Sequence, residues 1–481
     1  MSKTLIVNTF KKNIDTYIFI LCQEYKTQLQ KIEKNLTIKI PREIYKKFSG
    51  DKTDYIDTYI DNKHLILVGY GKKNICNKKY LMEVAGMIGK KLYLANESIF
   101  IYGSEKLEML IAQISGIILG YYKFDKYHTN INGEDNTKIY IYSPKKFISE
   151  LNDHIGLLNI QNEIRELVNE PANILNSVTY EKYIQKNLPP SVKIKIYNTR
   201  ELKKLGLNLI LAVNRGSENP AKLIVLTYNG NSKTNKNVCL VGKGVMFDTG
   251  GLNIKMGDFS DMKTDMTGSA IAFGVVKGCA ILKKKVNVIA VLPIVENSVD
   301  SKSTRPGDII KSYNGKTVEI TDTDAEGRLI LADALAFTEK YKPSMIIDIA
   351  TLTGAAAYLF GEMATAIMGN DNNAIEQYKI VSENENEKVW ELPMWEEYVE
   401  LTKSEVADYK NLTLSANAGA IMGGAFLSNF IPSQNKNKDK KISWIHLDIA
   451  GVSYLNNETD SRFSGATGET FLSIFKFINR T

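Results

Sequence analysis

From about residue 171 onward, short runs of Val, Ile and Leu alternate with helical patterns, and this alternation narrows the possible folds more than any other feature of the chain. VKIKIYN, LIVLTYNG, NVCLVGKGV, VNVIAVLPIV, SMIIDIAT and WIHLDIAG have the length and composition of strands; GSAIAFGVVKGCAILKK and GRLILADALAFTEKY have helical periodicity. Runs that are apolar on both faces belong to buried strands. They predict an α/β fold with a mixed sheet covered by helices on both sides. In such sheets ligands sit at the carboxyl ends of strands. Lys243 and Asp248 follow NVCLV, and Thr351 follows SMIIDIA, so all three are expected at such ends.

A second α/β pattern occupies residues 1–150. TLIVNTF and HLILVGYG read as strands, YLMEVAGMIGKKLYLA and KLEMLIAQISGIILGYYKF as helices. No dense chemical motif lies there, so a smaller structural or assembly domain is expected. A chain of 481 residues is long enough for two to four domains of roughly 100–200 residues. The charged helix within EIRELVNEPANIL should end near Asn169 or Glu170, because Pro171 disfavours helix at the preceding residue. We therefore expect a linker helix over 151–170 and a catalytic domain over 171–481.

Composition excludes several classes. The net charge of +7 is spread among many acids, with no Lys/Arg block interleaved with aromatics. The short runs KNKDKK and LKKKV read as solvated segments, so a nucleic-acid partner is not expected. Four cysteines form no CxxC pair, which favours a reducing compartment. The amino-terminal stretch has no long apolar core of a signal peptide. The longest apolar stretch, 345–361, contains Asp348 and is too short to span a bilayer. A cytoplasmic protein without membrane contact is expected. The four histidines show neither HxxxH nor HExxH spacing, so histidine is not the expected metal donor.

Two stretches place ionisable groups in apolar surroundings. In TDTDAEGRL, Asp324 and Glu326 are two apart and would point to one side of an extended segment. Adjacent like charges there are costly without a cation between them, although acids at a helix entry give a simpler reading. In VGKGVMFDTGGLNIK, Asp248 precedes Gly250 and Gly251, which let the backbone turn sharply, and Lys255 closes the stretch. Asp265 follows in KTDMTG, where it could equally be a helix N-cap. Taken together, Asp248, Asp265, Asp324 and Glu326 would be neutralised by two divalent cations. Oxygen donors suit Mg²⁺ and Mn²⁺; Zn²⁺ and Co²⁺ also accept carboxylates beside a nitrogen donor, which a neutral Lys243 could supply. Lys255 and Arg328 remain as cations for an oxyanion or a bound anion.

VGKGVMFDTGGLNIK, KTDMTG, TDTDAEGRLILADAL and DIATLTGA resemble the leucyl aminopeptidase family, the cytosolic dinuclear metallopeptidases, over roughly residues 165–481. The resemblance implies a tighter metal held by Lys243, Asp248, Asp265 and Glu326 and a more exchangeable one held by Asp248, Asp324 and Glu326. It implies that Lys255 polarises the substrate carbonyl and that Arg328 holds a bicarbonate ion acting as general base. Met262, Thr351, Gly354 and Ala450 would line the pocket for the first side chain. The implied activity is removal of apolar, leucine-like residues from peptides with a free N-terminus, through a metal-bridging hydroxide. The implied assembly is a homohexamer. Three positions depart from the family pattern. Asp322 stands where asparagine is usual, Thr249 where serine is usual, and the loop from Lys255 to Asp265 is one residue shorter. The shorter loop leaves Asp258 or Asp261 as alternative donors.

Overall fold

The computed structural model describes residues 3–11, 13–23, 25–52, 54–71, 78–129, 135–413, 417–433 and 442–480. Cys76 and the basic run 436–441 lie outside the described residues. The chain divides into two compact units, Met1–Asn162 with Asn456–Gly465, and Glu163–Leu455 with Ala466–Thr481. The division falls inside a helix, Ile148–Asn169, which ends two residues before Pro171.

In the first unit six strands form one sheet: β1 (Lys3–Val7), β2 (Thr16–Leu21), β3 (Tyr55–Ile60), β4 (Lys63–Gly69), β5 (Ser98–Tyr102) and β6 (Lys138–Tyr142). Their order is β1-β6-β5-β2-β4-β3. All neighbours are parallel except the β3–β4 pair. Central β2 is buried along its whole length, and its Tyr17, Phe19 and Leu21 join Leu29, Ile32 and Phe100 in one core. Helices Lys78–Lys91 and Leu107–Tyr121 pack at backbone distance: a Cβ on Gly120 would stand 2.3 Å from the Gly86 carbonyl oxygen.

The second unit carries the larger sheet. Its strands are β7 (Val192–Tyr197), β8 (Lys222–Asn229), β9 (Asn237–Gly242), β10 (Gly244–Asp248) and β11 (Asn287–Asn297). A small sheet adds β12 (Ile309–Lys311) and β13 (Thr317–Glu319) before the main sheet resumes with β14 (Pro343–Ala350), β15 (Thr365–Gly369) and β16 (Val389–Glu391). β17 (Tyr409–Lys410) completes the small sheet, and β18 (Ser443–Asp448) returns to the large one. The order is β16-β15-β18-β14-β9-β11-β8-β7, with β10 beside β11. The centre, β18-β14-β9-β11, is parallel; β8 runs antiparallel to β11 and β7, and β15 runs antiparallel to β18 but parallel to β16. The sheet is mixed and buried, as the apolar runs predict.

Two helices of this unit are enclosed along nearly their whole length. Helix Thr267–Ile281 packs on β9, β11 and β14, and all residues of helix Gly327–Phe337 are buried. Cys239, Val241, Val291, Ile330, Leu331, Ile346 and Trp444 lie in the common core. No helix among the described residues is long and apolar enough to cross a membrane.

Candidate metal centre

NVCLVGKGV, one run in the sequence, is two strands in the structure. β9 ends at Gly242 and β10 begins at Gly244, so the chain breaks step at Lys243. Gly242 lies against the entering helix: a Cβ there would meet the Gly268 carbonyl oxygen at 2.5 Å. The break turns the Lys243 side chain into the core. Its Nζ stands 2.6 Å from Asp265 Oδ1 and 3.0 Å from Glu326 Oε1, and donates to the Thr351 carbonyl at 2.8 Å. Gly327 makes room for it, since a Cβ at 327 would fall 2.3 Å from Lys243 Cε.

Asp248 ends β10. Its Oδ1 accepts from the Gly250 amide at 2.9 Å and from Asn297 Nδ2 at 2.7 Å, while Oδ2 meets Lys255 Nζ at 2.8 Å. Gly250 and Gly251 both have positive φ, 88° and 65°, which an L side chain resists. The turn they make returns Lys255, whose Nζ also reaches Asp324 Oδ1 at 2.5 Å. Glu326 immediately precedes helix Gly327–Phe337, and Asp324 lies on the loop before it. Asp248, Asp324 and Glu326 each offer a carboxylate oxygen within 4.8 Å of the others.

Asp322, Thr249 and the loop from Lys255 to Asp265 have visible local roles. Asp322 Oδ1 accepts the Asp324 amide at 2.8 Å, an acceptor that an asparagine side chain also possesses. The Thr249 hydroxyl donates to the Asn297 carbonyl at 2.8 Å and accepts the Gly251 amide at 3.2 Å, bonds that need only a hydroxyl. The loop from Lys255 ends in a 3₁₀ turn, Ser260–Met266, that places Asp265 at Lys243 and at the Thr351 hydroxyl, 2.8 Å away. Asp265 does not cap the following helix, which has Met266 at its N-cap and no side-chain cap. Exposed Asp258 accepts the Ser260 amide instead, and half-buried Asp261 lies in the first turn of the same 3₁₀ segment.

Arg328 is buried, donating from Nη1 to the Asn411 carbonyl at 2.8 Å, and its Nε has no partner. Half-buried Met262 shares the 3₁₀ turn with Asp265. Gly354 opens helix Gly354–Phe360, and Ala450 follows β18. Sequence reasoning missed Asn297, Asn411 and Asp448. Asn297 holds both Asp248 and the Thr323 carbonyl. Asn411 staples the acidic loop, accepting the Thr321 amide at 2.8 Å and donating to the Asp322 carbonyl at 2.6 Å. Each is a lone polar residue without a spacing partner, so no pattern announces it.

The electrostatics suit a cation. Burial and the neighbouring Glu326 push Asp248 up to about 7, against the opposing pull of both lysines. Burial likewise raises Asp265 well above the carboxylate range. Burial opposes ionisation of Glu326, but Lys243 and Lys255 outweigh it and lower its pKa. Burial opposes the charge on Lys243, yet Asp265, Glu326 and Asp248 together raise its pKa. A lysine so surrounded must lose a proton to become a metal donor. Asp265 Oδ2 and Glu326 Oε2 are buried without a hydrogen-bond partner, a costly state that a bound cation would relieve. The donor set fits divalent ions.

Oxygen donors and an amine, gathered in one buried cluster of an α/β protein, define a site for divalent ions. The catalytic domain of the cytosol aminopeptidase family matches residues 162–474. A probable cytosol aminopeptidase of Sulfurihydrogenibium sp. is 36% identical over 478 residues, covering 94% of this chain and 93% of that protein. Another, of Persephonella marina, is 37% identical over 451 residues, covering 90% and 86%. A solved mutant of tomato leucine aminopeptidase is similar with a TM-score of 0.86 and 25% identity, covering 100% of this chain and 97% of that one. The bottromycin maturation enzyme BotP, solved in complex with Mn, shares the fold at a TM-score of 0.85 and 24% identity, with 97% and 99% covered. The chain belongs to the cytosol aminopeptidase family and is a metalloaminopeptidase, a hydrolase of peptide bonds.

Proposed function

We propose that this enzyme removes apolar, leucine-like residues from peptides with a free N-terminus, at a centre that holds two divalent ions. The observation that carries the proposal is the meeting of Asp248, Asp324 and Glu326 within 4.8 Å, beside two buried carboxylate oxygens that lack partners. Lys243, Asp248, Asp265 and Glu326 would hold one ion, and Asp248, Asp324 and Glu326 the other. Zn²⁺ or Mn²⁺ fits this mixed donor set, with Mg²⁺ and Co²⁺ as further candidates. When bound, such ions supply Lewis acidity for water activation and carbonyl polarisation.

The chain's own groups divide the remaining work. The Lys255 side chain is 20% exposed against 3% for Lys243, so Lys255 is the cation that substrate reaches. Its ammonium would donate to the oxygen that becomes negative in the transition state. Arg328, with Nε unpartnered, offers a donor to a bicarbonate ion. Met262, Thr351, Gly354 and Ala450 would receive the first side chain. Residues 1–150 serve structure or assembly, residues 171–481 catalysis, in a cytoplasmic homohexamer. Strongly exposed apolar side chains such as Tyr358, 94% exposed, favour burial against another copy.

Chelation should abolish hydrolysis of leucyl amide, and Mn²⁺, Zn²⁺ or Co²⁺ should restore it. Activity that survives metal removal, verified by elemental analysis, would overturn the metal reading. Efficient cleavage of N-acetyl-leucyl amide would overturn the requirement for a free amine.

A further inference from the structure

We propose that Asp448 is the positioning residue that sets the shape of the side-chain pocket, and thereby the preference among substrates. The inference rests on the pocket assignment above. Asp448 is the last residue of β18, fully enclosed, and lies beside Ala350 of β14 and Ala366 of β15. Its Oδ1 accepts the Leu352 amide at 3.1 Å and the Ala450 amide at 3.2 Å. Its Oδ2 accepts the Thr353 hydroxyl at 2.7 Å. One carboxylate thus ties the loop after β14 to the turn after β18.

The bond to Thr353 has a second effect. A hydroxyl whose proton points at Asp448 keeps its lone pairs for another donor, here the Ala356 amide at 3.1 Å. Asp448 therefore orients the cap of helix Gly354–Phe360, the helix that begins at pocket residue Gly354. On the other side of Leu352, Thr351 is fixed to the metal centre through Asp265 and Lys243. The wall is close-packed from behind: a Cβ on Gly423 would stand 2.9 Å from Leu352 Cδ2, and one on Gly451 would stand 2.1 Å from the Gly361 carbonyl oxygen. Losing the Asp448 bonds would free Leu352, Thr353 and Ala450 to shift, and would carry pocket residues Gly354 and Ala450 with them. Asp448 itself needs no contact with substrate.

Asp448→Asn and Thr353→Val should each lower the ratio of kcat/KM for leucyl over alanyl amide by about tenfold, because a pocket discriminates side chains by its fit. KM for leucyl amide should rise more than kcat falls, and bound metal should stay at the wild-type level by elemental analysis. Thr353→Ser keeps the hydroxyl and should keep the wild-type ratio. Hydrogen exchange at the Leu352, Ala356 and Ala450 amides should quicken in Asp448→Asn whether or not substrate is turned over. An unchanged substrate ratio or unchanged exchange in Asp448→Asn would overturn the clamp while leaving the functional reading intact. Wild-type protein that hydrolyses neither amide would overturn the functional reading itself, and the clamp with it.

Discussion

Lys243 and Lys255 reach the same group of carboxylates, but only Lys255 faces outward, and the two should fail differently when replaced. Lys255→Met should lower kcat by about 10²–10³ with a smaller change in KM, since an oxyanion donor acts mainly in the transition state. Steady-state kinetics on leucyl amide would show it, and an unchanged kcat would remove Lys255 from the mechanism. Arg328→Ala should be milder, because water or buffer anions can occupy part of the place of a bound anion. Asp265→Ala should reduce bound metal from two ions per chain towards one and nearly silence the enzyme, while circular dichroism stays native. Two retained ions with full activity would mean that Asp265 is not a donor. The carboxylates stand out in the sequence because charge is expensive inside an apolar pattern. Asn297, Asn411 and Asp448 do not, because a single polar residue at a strand end looks the same whether it faces solvent or holds a loop.

At the scale of elements, the acidic loop depends on a partner far along the chain. Asn411 meets Thr321, Asp322 and Ala325 through its side chain, Glu319 through its amide and Arg328 through its carbonyl. Asn411→Ala would leave several buried polar groups unpaired and should cost about 1–3 kcal/mol in chemical denaturation. Elemental analysis of the same variant should show weaker metal retention, because the backbone that carries Asp324 and Glu326 loses its anchor. The central strands of the second unit were legible because burial on both faces writes a continuous apolar run. The break between β9 and β10 was not, because two glycines beside one lysine carry no sign of which way the lysine turns. Short strands β12, β13 and β17 were missed for a related reason: two or three residues are too few to establish a period.

At the scale of the whole chain, stability should depend on pH through Glu387. Burial first, then Glu469, raises its pKa from 4.5 to about 8, and its Oε2 accepts the Ser473 amide at 2.9 Å. The folded chain keeps this proton across that interval and the unfolded chain releases it. The contribution to stability is therefore fully present below about 4.5 and is lost as pH rises towards about 8. Glu387→Gln should flatten that slope, seen as a smaller difference in melting temperature between mildly acid and mildly alkaline buffer than in the parent protein; equal slopes would mean that Glu387 does not hold the proton. The division of the chain has a further consequence, for synthesis rather than for catalysis. Residues 456–465 belong to the first unit, where Glu458 pairs with Lys90 and Phe463 packs on Tyr93, and the chain then returns to the second unit for helix Phe471–Ile478. On the ribosome residues 456–465 emerge after nearly all of the second unit, so the Lys90–Glu458 and Tyr93–Phe463 contacts are among the last the first unit makes. The core gathered around Tyr17, Phe19 and Phe100 draws on none of those late residues, so the amino-terminal sheet can assemble first and receive this strap afterwards.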